Sequence, residues 1–362
     1  MKYLKISFLF LFFIVKSSFG IDLPPGFTEK VIVAIQNPTT MAQAPDGRIF
    51  ILTQNGQIFI YKNDVLLAKP FISLPVNSEG ERGLIGITFD PEFKKNQFLY
   101  LHYTVPVAPI HNRVSRFTAN DDIVKPGSEK IIFEITNAAA APNHHSGAMA
   151  FGKDGKLYIA VGENAKPSNS QTLENLLGKI LRINADGSIP NDNPFYKTAI
   201  GENRAIYALG LRNPFTFSIQ PGSGKIFVND DGQESWEEIN EIKPGGNYGW
   251  PNAEGNSDDK KFINPMFTYH HKNGEIKGCS VIGSSFYNPT TPQFPLHYFG
   301  KYFFGDYCSG FIKIMDPETG KVEGFADGLS NLVNILTGND GSLYYLERGD
   351  GGKLHKITYK VP

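Results

Sequence analysis

Only two cysteines, Cys279 and Cys308, occur among 362 residues, too few for a disulfide-stapled scaffold or a cysteine-built metal centre. Excess charge of either sign is missing too. With a formal net charge of −1 the chain exerts no global pull on nucleic acid or on an anionic membrane. Beyond the N-terminus no apolar run is long enough to span a bilayer. There is no Gly-x-Ser-x-Gly elbow and no Gly-x-Gly-x-x-Gly fingerprint, which removes the usual serine-hydrolase and nicotinamide readings. Amphipathic helices are also scarce. The single helical candidate, residues 172–177, is short.

What the chain has in quantity is turn residues and aromatics: 37 Gly, 24 Pro and 28 Phe, at 41% hydrophobic and 20% charged residues. That balance suits a globular protein built of short strands and turns. The N-terminus reads as a targeting segment. Lys2 and Lys5 precede an almost wholly apolar stretch, residues 6–15, and Ser18-Phe19-Gly20 offers a cleavage site before Ile21. Lys16 interrupts the run, so a retained anchor is the lesser alternative. Residues 1–20 are therefore expected to be a signal peptide, residues 21–362 a single domain, and the mature protein secreted or periplasmic. In an oxidising compartment Cys279 and Cys308 are expected to form one disulfide, the alternative being two separate buried thiols.

A turn followed by alternating apolar residues recurs along the chain. Pro45-Asp46-Gly47 precedes Ile49-Phe50-Ile51-Leu52, Lys153-Asp154-Gly155 precedes Leu157-Tyr158-Ile159-Ala160, and Asn339-Asp340-Gly341 precedes Leu343-Tyr344-Tyr345-Leu346. Phe89-Asp90-Pro91 and Gln220-Pro221-Gly222 are variants. Asp-Gly supplies the positive φ of a tight hairpin, and the β-branched and aromatic run supplies the strand. Short strands repeated over this length predict an all-β, six-bladed β-propeller, with four strands per blade. A pair of β-sandwiches is the alternative. It accounts less well for two stretches read as long irregular loops, residues 97–128 and 185–204.

The most informative segment is Asn143-His144-His145-Ser146-Gly147, which leads into a turn and a strand ending at Gly162-Glu163-Asn164. It puts a loop histidine, fit to move a proton near neutral pH, on a rigid sheet. Leu211-Arg212-Asn213-Pro214 and Asn247-Tyr248-Gly249-Trp250-Pro251 are possible partners. A structural histidine bonded to backbone is the bland alternative.

Together with Gly80-Glu81-Arg82-Gly83, Leu177-Gly178-Lys179-Ile180-Leu181-Arg182 and Glu237-Glu238-Ile239-Asn240, these segments resemble the glucose/sorbosone dehydrogenase family of soluble quinoproteins over nearly all of the mature chain. The resemblance implies a six-bladed propeller. It implies oxidation of aldose sugars at C1, with pyrroloquinoline quinone (PQQ) as hydride acceptor, Ca²⁺ polarising the quinone and an external electron acceptor. It makes His144 the general base, with His145 secondary. Arg212 and Asn213 become cofactor contacts, and Glu81, Asn143 and Asn164 substrate contacts. The carbonyls of Gly232 and Gln233 become ligands of the catalytic Ca²⁺, and Glu238 with the Tyr248 carbonyl a second calcium site. Asp230, Asp231, Glu234, Glu237 and Glu238 form an acidic cluster whose alternative reading is a solvated loop.

The chain departs from the family in one respect. A lysine and two arginines of the last blades bind the quinone carboxylates in catalytic relatives. Alignment on Gly310 and Asp340-Gly341 places Tyr307, Asn331 and Val333 there, and Ala148 replaces a further arginine. Each lost charge-assisted bond costs on the order of 1.5–3 kcal/mol. Lys277, Lys301 and Arg348 are cations that could substitute. The departure keeps a second reading alive, a non-catalytic secreted propeller that binds a glycan or a protein, as the ectodomain of a hedgehog-binding protein does. A distant third is Ca²⁺-dependent lactone hydrolysis.

Overall fold

The computed structural model describes residues 20–136, 141–349 and 351–361. Its regular secondary structure is almost entirely antiparallel strand, in six sheets arranged as a six-bladed propeller. The expected signal peptide falls outside the described residues except for Gly20. The innermost strands are Pro38–Gln43, Leu84–Phe89, Met149–Phe151, Pro214–Ile219, Val281–Phe286 and Leu332–Thr337, from blades one to six. Each packs against the next, and the sixth packs against the first, so they close a ring around an axial channel. The outer strand of blade six is Phe27–Ala34, which precedes blade one in sequence and pairs antiparallel with Lys353–Tyr359. Closure thus depends on a strand from the opposite end of the chain.

Why these residues form blades is visible in their burial. Five of the six second strands, Ile49–Thr53, Leu157–Val161, Ile226–Asp230, Tyr302–Asp306 and Leu343–Glu347, are buried at every position, and in the sixth, Phe98–Thr104, only Phe98 is half-buried. Each is covered by a neighbouring blade on both faces, so its sequence is a continuous apolar run rather than an alternation. Six hydrophobic clusters result, each joining two adjacent blades. Between blades one and two, Phe50 meets Phe71 and Phe89 edge-on, with ring centroids 5.0 Å apart in both pairs. Such pairs add roughly 0.5–1.5 kcal/mol each to the burial term.

The three Asp-Gly turns connect first to second strands in blades one, three and six. Gly47, Gly155 and Gly341 take φ of 97°, 70° and 81°. The aspartate before each accepts the amide of the residue after it. These turns all lie at one end of the channel. Loops entering the innermost strands and leaving the second strands lie at the other end, and they carry the candidate site.

Two expectations are corrected. Residues 172–177 form no helix, because Thr172 Oγ1 and Asn175 Oδ1 accept the amides of Glu174 and Leu177 and so stabilise turns. Residues 97–128 are not an irregular loop. They hold the strands Phe98–Thr104 and Asn112–Asn120 of blade two. Polar residues disguised the second of these, since Arg113 pairs with Glu134 and Arg116 lies over the Phe98 ring. Among the described residues no helix is long and apolar enough to cross a membrane.

Candidate functional site

His144 sits in the loop entering blade three, between the channel-lining residues Glu81 and Ser146 that it adjoins, with φ of 58°. Ser146 follows at 51°. Two non-glycine residues in the left-handed region so close together need strong local support. The support is present. Glu81 Oε2 accepts the His144 amide at 2.7 Å, and Asn164 Nδ2 donates to the His144 carbonyl at 2.8 Å. Gly162 lets the chain pass behind, for a Cβ there would lie 2.1 Å from the His144 carbonyl oxygen.

The imidazole is held at both nitrogens. Nδ1 lies 2.6 Å from Oε1 of Glu163, which is wholly buried, and Nε2 lies 2.9 Å from Nη2 of Arg212. A guanidinium can only donate, so the network assigns a lone pair to Nε2 and the proton to Nδ1. That tautomer is the one a base needs. His145, its neighbour, points elsewhere, with Nε2 on the Ala141 carbonyl at 3.2 Å, and burial pushes its pKa down to about 4. The two adjacent histidines therefore do different work.

Arg212 enters blade four from the same end. Nη1 donates to the Asp231 carbonyl at 2.9 Å, the guanidinium lies 5.6 Å from the Trp250 ring centroid, and buried Nε has no partner among the described residues. Asn213 accepts from Ser146 Oγ at 2.9 Å and donates to Asp231 Oδ2 at 3.1 Å. Asp230 in turn accepts the amides of Arg212 and Asn213. Arg212 and His144 are thus brought together across two blades.

The acidic cluster is not a solvated loop. Asp230, Asp231, Glu237 and Glu238 are all buried, and only Glu234 is exposed. Burial raises the Asp230 pKa to about 7 and that of Glu238 to about 8. Asp231 is raised well above the carboxylate range by burial, reinforced by facing Glu237 and Glu81. So much buried acid suits a bound cation. Next to it, Glu254 Oε1 collects the amides of Gln233, Glu234, Ser235 and Trp236. Gly232 is needed there, because a Cβ would fall 1.8 Å from the Trp236 carbonyl oxygen. The Gly232 and Gln233 carbonyls accept no hydrogen bond among the described residues, nor does that of Tyr248. These are hard oxygen donors of the kind Ca²⁺ takes. Glu238 accepts the Gly255 amide at 2.6 Å and Asn240 Nδ2 at 3.0 Å.

Of the other expected residues, Glu81 lines the channel, Asn143 is half-buried beside His144, and Asn164 is buried with Oδ1 unpaired. The channel cavity measures about 690 Å³ and is also lined by Ser146, Ala148, Val333 and Arg348. Cys279 and Cys308 are bonded, with Cα atoms 5.7 Å apart. Cys279 precedes Ser280, whose hydroxyl donates to Asp231 Oδ1 at 3.1 Å. Sequence reasoning missed Glu163. It stood within a quoted segment, but its pairing with a residue 19 positions earlier appears only once the blade folds.

The fold and mouth define a channel propeller with an oriented histidine, a guanidinium at its open nitrogen and adjacent oxygen donors for a cation. Comparison with known proteins takes this further. The glucose/sorbosone dehydrogenase family model matches residues 35–356. The aldose sugar dehydrogenase YliI of Escherichia coli is 28% identical over 349 residues, covering 90% of each chain. Quinoprotein glucose dehydrogenase B of Acinetobacter calcoaceticus is 30% identical over 280 residues, covering 68% of this chain and 57% of the relative. The apo crystal structure of the soluble E. coli aldose sugar dehydrogenase superposes with a TM-score of 0.82 at 26% identity, covering 92% of this chain and all of the other. The chain belongs to the glucose/sorbosone dehydrogenase family and is, by that membership, an oxidoreductase of the sugar dehydrogenase type.

Proposed function

We propose that this protein oxidises aldose sugars at C1 to the lactone, using PQQ and Ca²⁺, with His144 as general base. The observation that carries the reading is the polarised line Glu163–His144–Arg212, with contacts of 2.6 and 2.9 Å. His144 Nε2 takes the proton of the C1 hydroxyl, and buried Glu163 stabilises the imidazolium that forms. When the hydroxyl binds, it displaces Arg212 Nη2 from Nε2. Nη1 keeps its anchor on the Asp231 carbonyl, so the guanidinium turns toward the cofactor without leaving the mouth. The bound quinone supplies the acceptor for the C1 hydride, and Ca²⁺ polarises it.

The cofactor end fits residues that lack partners. Arg212 Nε and Trp250 Nε1 are buried donors without acceptors among the described residues, and Asn213 follows Arg212 in the chain. In this reading the Gly232 and Gln233 carbonyls would hold the catalytic Ca²⁺, and Glu238 with the Tyr248 carbonyl would hold a second calcium. Glu81, Asn143 and Asn164 border the sugar, Asn164 from the closed side with Oδ1 open as an acceptor. Electrons then pass to an external acceptor. We place the mature protein outside the cytoplasm, after removal of residues 1–20.

A non-catalytic propeller would leave His144 in a merely structural bond and the mouth poor in convergent polar groups. His144, Glu163, Arg212 and Asp231 converge, so that reading is not favoured. The test is to strip the protein with chelator and titrate it with PQQ, with and without Ca²⁺, following dye reduction on adding aldoses. We expect Ca²⁺-dependent binding and aldose-driven reduction, with binding retained and reduction lost in His144→Ala. No binding at micromolar cofactor would overturn the proposal.

A further inference from the structure

The positions where catalytic relatives carry late-blade cations are neutral here, at Tyr307, Asn331 and Val333. Of the three candidate substitutes, Lys301 lies at the opposite end of the channel and pairs with Asp316. Lys277 is exposed on the outer rim, bridged to the end of strand Phe267–His270. Arg348 is different. It leaves strand Leu343–Glu347 at the mouth and lines the channel. Its amide donates to the Asn331 carbonyl at 3.0 Å, so its backbone adjoins one of the neutral positions directly. Val333 lines the same cavity.

No carboxylate among the described residues pairs with Arg348. Its Nη2 donates instead to a neutral amide, Gln54 Oε1. Gln54 is itself fixed, because Nε2 donates to the carbonyls of Gly80 and Arg82 at 2.5 and 2.9 Å. Those two residues flank Glu81, which holds the His144 amide. Arg348 is therefore tethered to the wall that carries the base, on blade six, with Arg212 on blade four. A half-exposed guanidinium aimed into a cavity, with no counter-charge paired to it among the described residues, is built to receive a planar anion through its fork.

We propose that Arg348 is the carboxylate-binding residue of the channel mouth. The inference rests on the PQQ reading where the carboxylate is the cofactor's own. The same chemistry would also receive the carboxylate of a uronic acid substrate. The experiment separates these sources by binding rather than by activity. Full-length Ca²⁺-loaded wild type, Arg348→Gln and Arg348→Lys are titrated calorimetrically with PQQ, with D-glucuronate and with D-glucose. Circular dichroism and thermal melts establish that the variants fold.

Loss of one charge-assisted fork predicts that R348Q binds the carboxylate ligand about tenfold to a hundredfold more weakly. R348K should fall between, and glucose binding should be unchanged. Weakening of PQQ supports the proposal with the cofactor as source. Weakening of glucuronate alone supports it with an acidic sugar as source. Undiminished binding of both ligands by folded R348Q overturns the inference and leaves the dehydrogenase reading standing. Wild type that binds neither ligand overturns both.

Discussion

Replacing Glu163 by glutamine tests the orientation of His144 with the exchange of a single oxygen for an amide nitrogen. Glu163 uses both carboxylate oxygens as acceptors, Oε1 from His144 Nδ1 at 2.6 Å and Oε2 from the Lys166 amide. Glutamine has one acceptor. If its oxygen faces His144, its NH₂ meets the Lys166 N–H. If its NH₂ faces His144, the ring must carry its proton on Nε2, where it confronts Arg212 Nη2. Either arrangement sets two donors against each other in a buried place. The lost charge-assisted bond is worth about 1.5–3 kcal/mol, which predicts a fall in kcat of about tenfold to a hundredfold. KM should change little, because Glu163 is wholly buried behind His144 and offers no surface to a sugar. Steady-state dye reduction measures the first effect, and NMR of the His144 ring nitrogens reads the tautomer. An E163Q protein with wild-type kcat and an unchanged tautomer would refute the reasoning.

Other residues give separate predictions. Lys179 is fully buried and donates to the carbonyls of Asn169, Ser170 and Leu177 at 2.7, 3.1 and 2.6 Å. Lys179→Met orphans the Asn169 and Leu177 carbonyls, while that of Ser170 keeps the Gly210 amide, and should lower unfolding stability by about 2 kcal/mol or more in urea titrations. His355 ties the closing strand to blade six through Glu29 and Glu347. Burial pushes its pKa down, but the two carboxylates reverse this and leave it raised. Its contribution is complete below the unfolded value of about 6.5 and is lost as pH rises through the folded value. Melting temperature should therefore fall across that interval, with a smaller slope in His355→Gln. Serine at both Cys279 and Cys308 opens a crosslink spanning 29 residues, and chemical denaturation should show a loss of about 3–4 kcal/mol.

Much of the fold was legible because propeller blades are written in local chemistry. An Asp-Gly turn and the strand after it need only a few neighbouring residues, and Gly47, Gly155 and Gly341 sit where that logic puts them. Residues 172–177, the short helical candidate, form turns instead because the Thr172 and Asn175 side chains bond the backbone there. Strand Asn112–Asn120 was hidden by arginines whose partners lie on other strands. At the site, His144 and Arg212 stood out by residue type and setting. Glu163 did not, since an acid beside a strand end is unremarkable until the sheet turns it onto an imidazole. The burial of Asp230, Asp231, Glu237 and Glu238 was equally invisible, because composition alone cannot tell a solvated acidic loop from a closed one.

The most direct test of the account is the reaction of protein loaded with PQQ and Ca²⁺ with glucose and with C1-deuterated glucose, mixed anaerobically and followed by cofactor absorbance. The account predicts stoichiometric reduction, slower with the deuterated sugar, and abolished in His144→Ala with cofactor binding retained. Loaded wild type whose spectrum does not change with any aldose would contradict it.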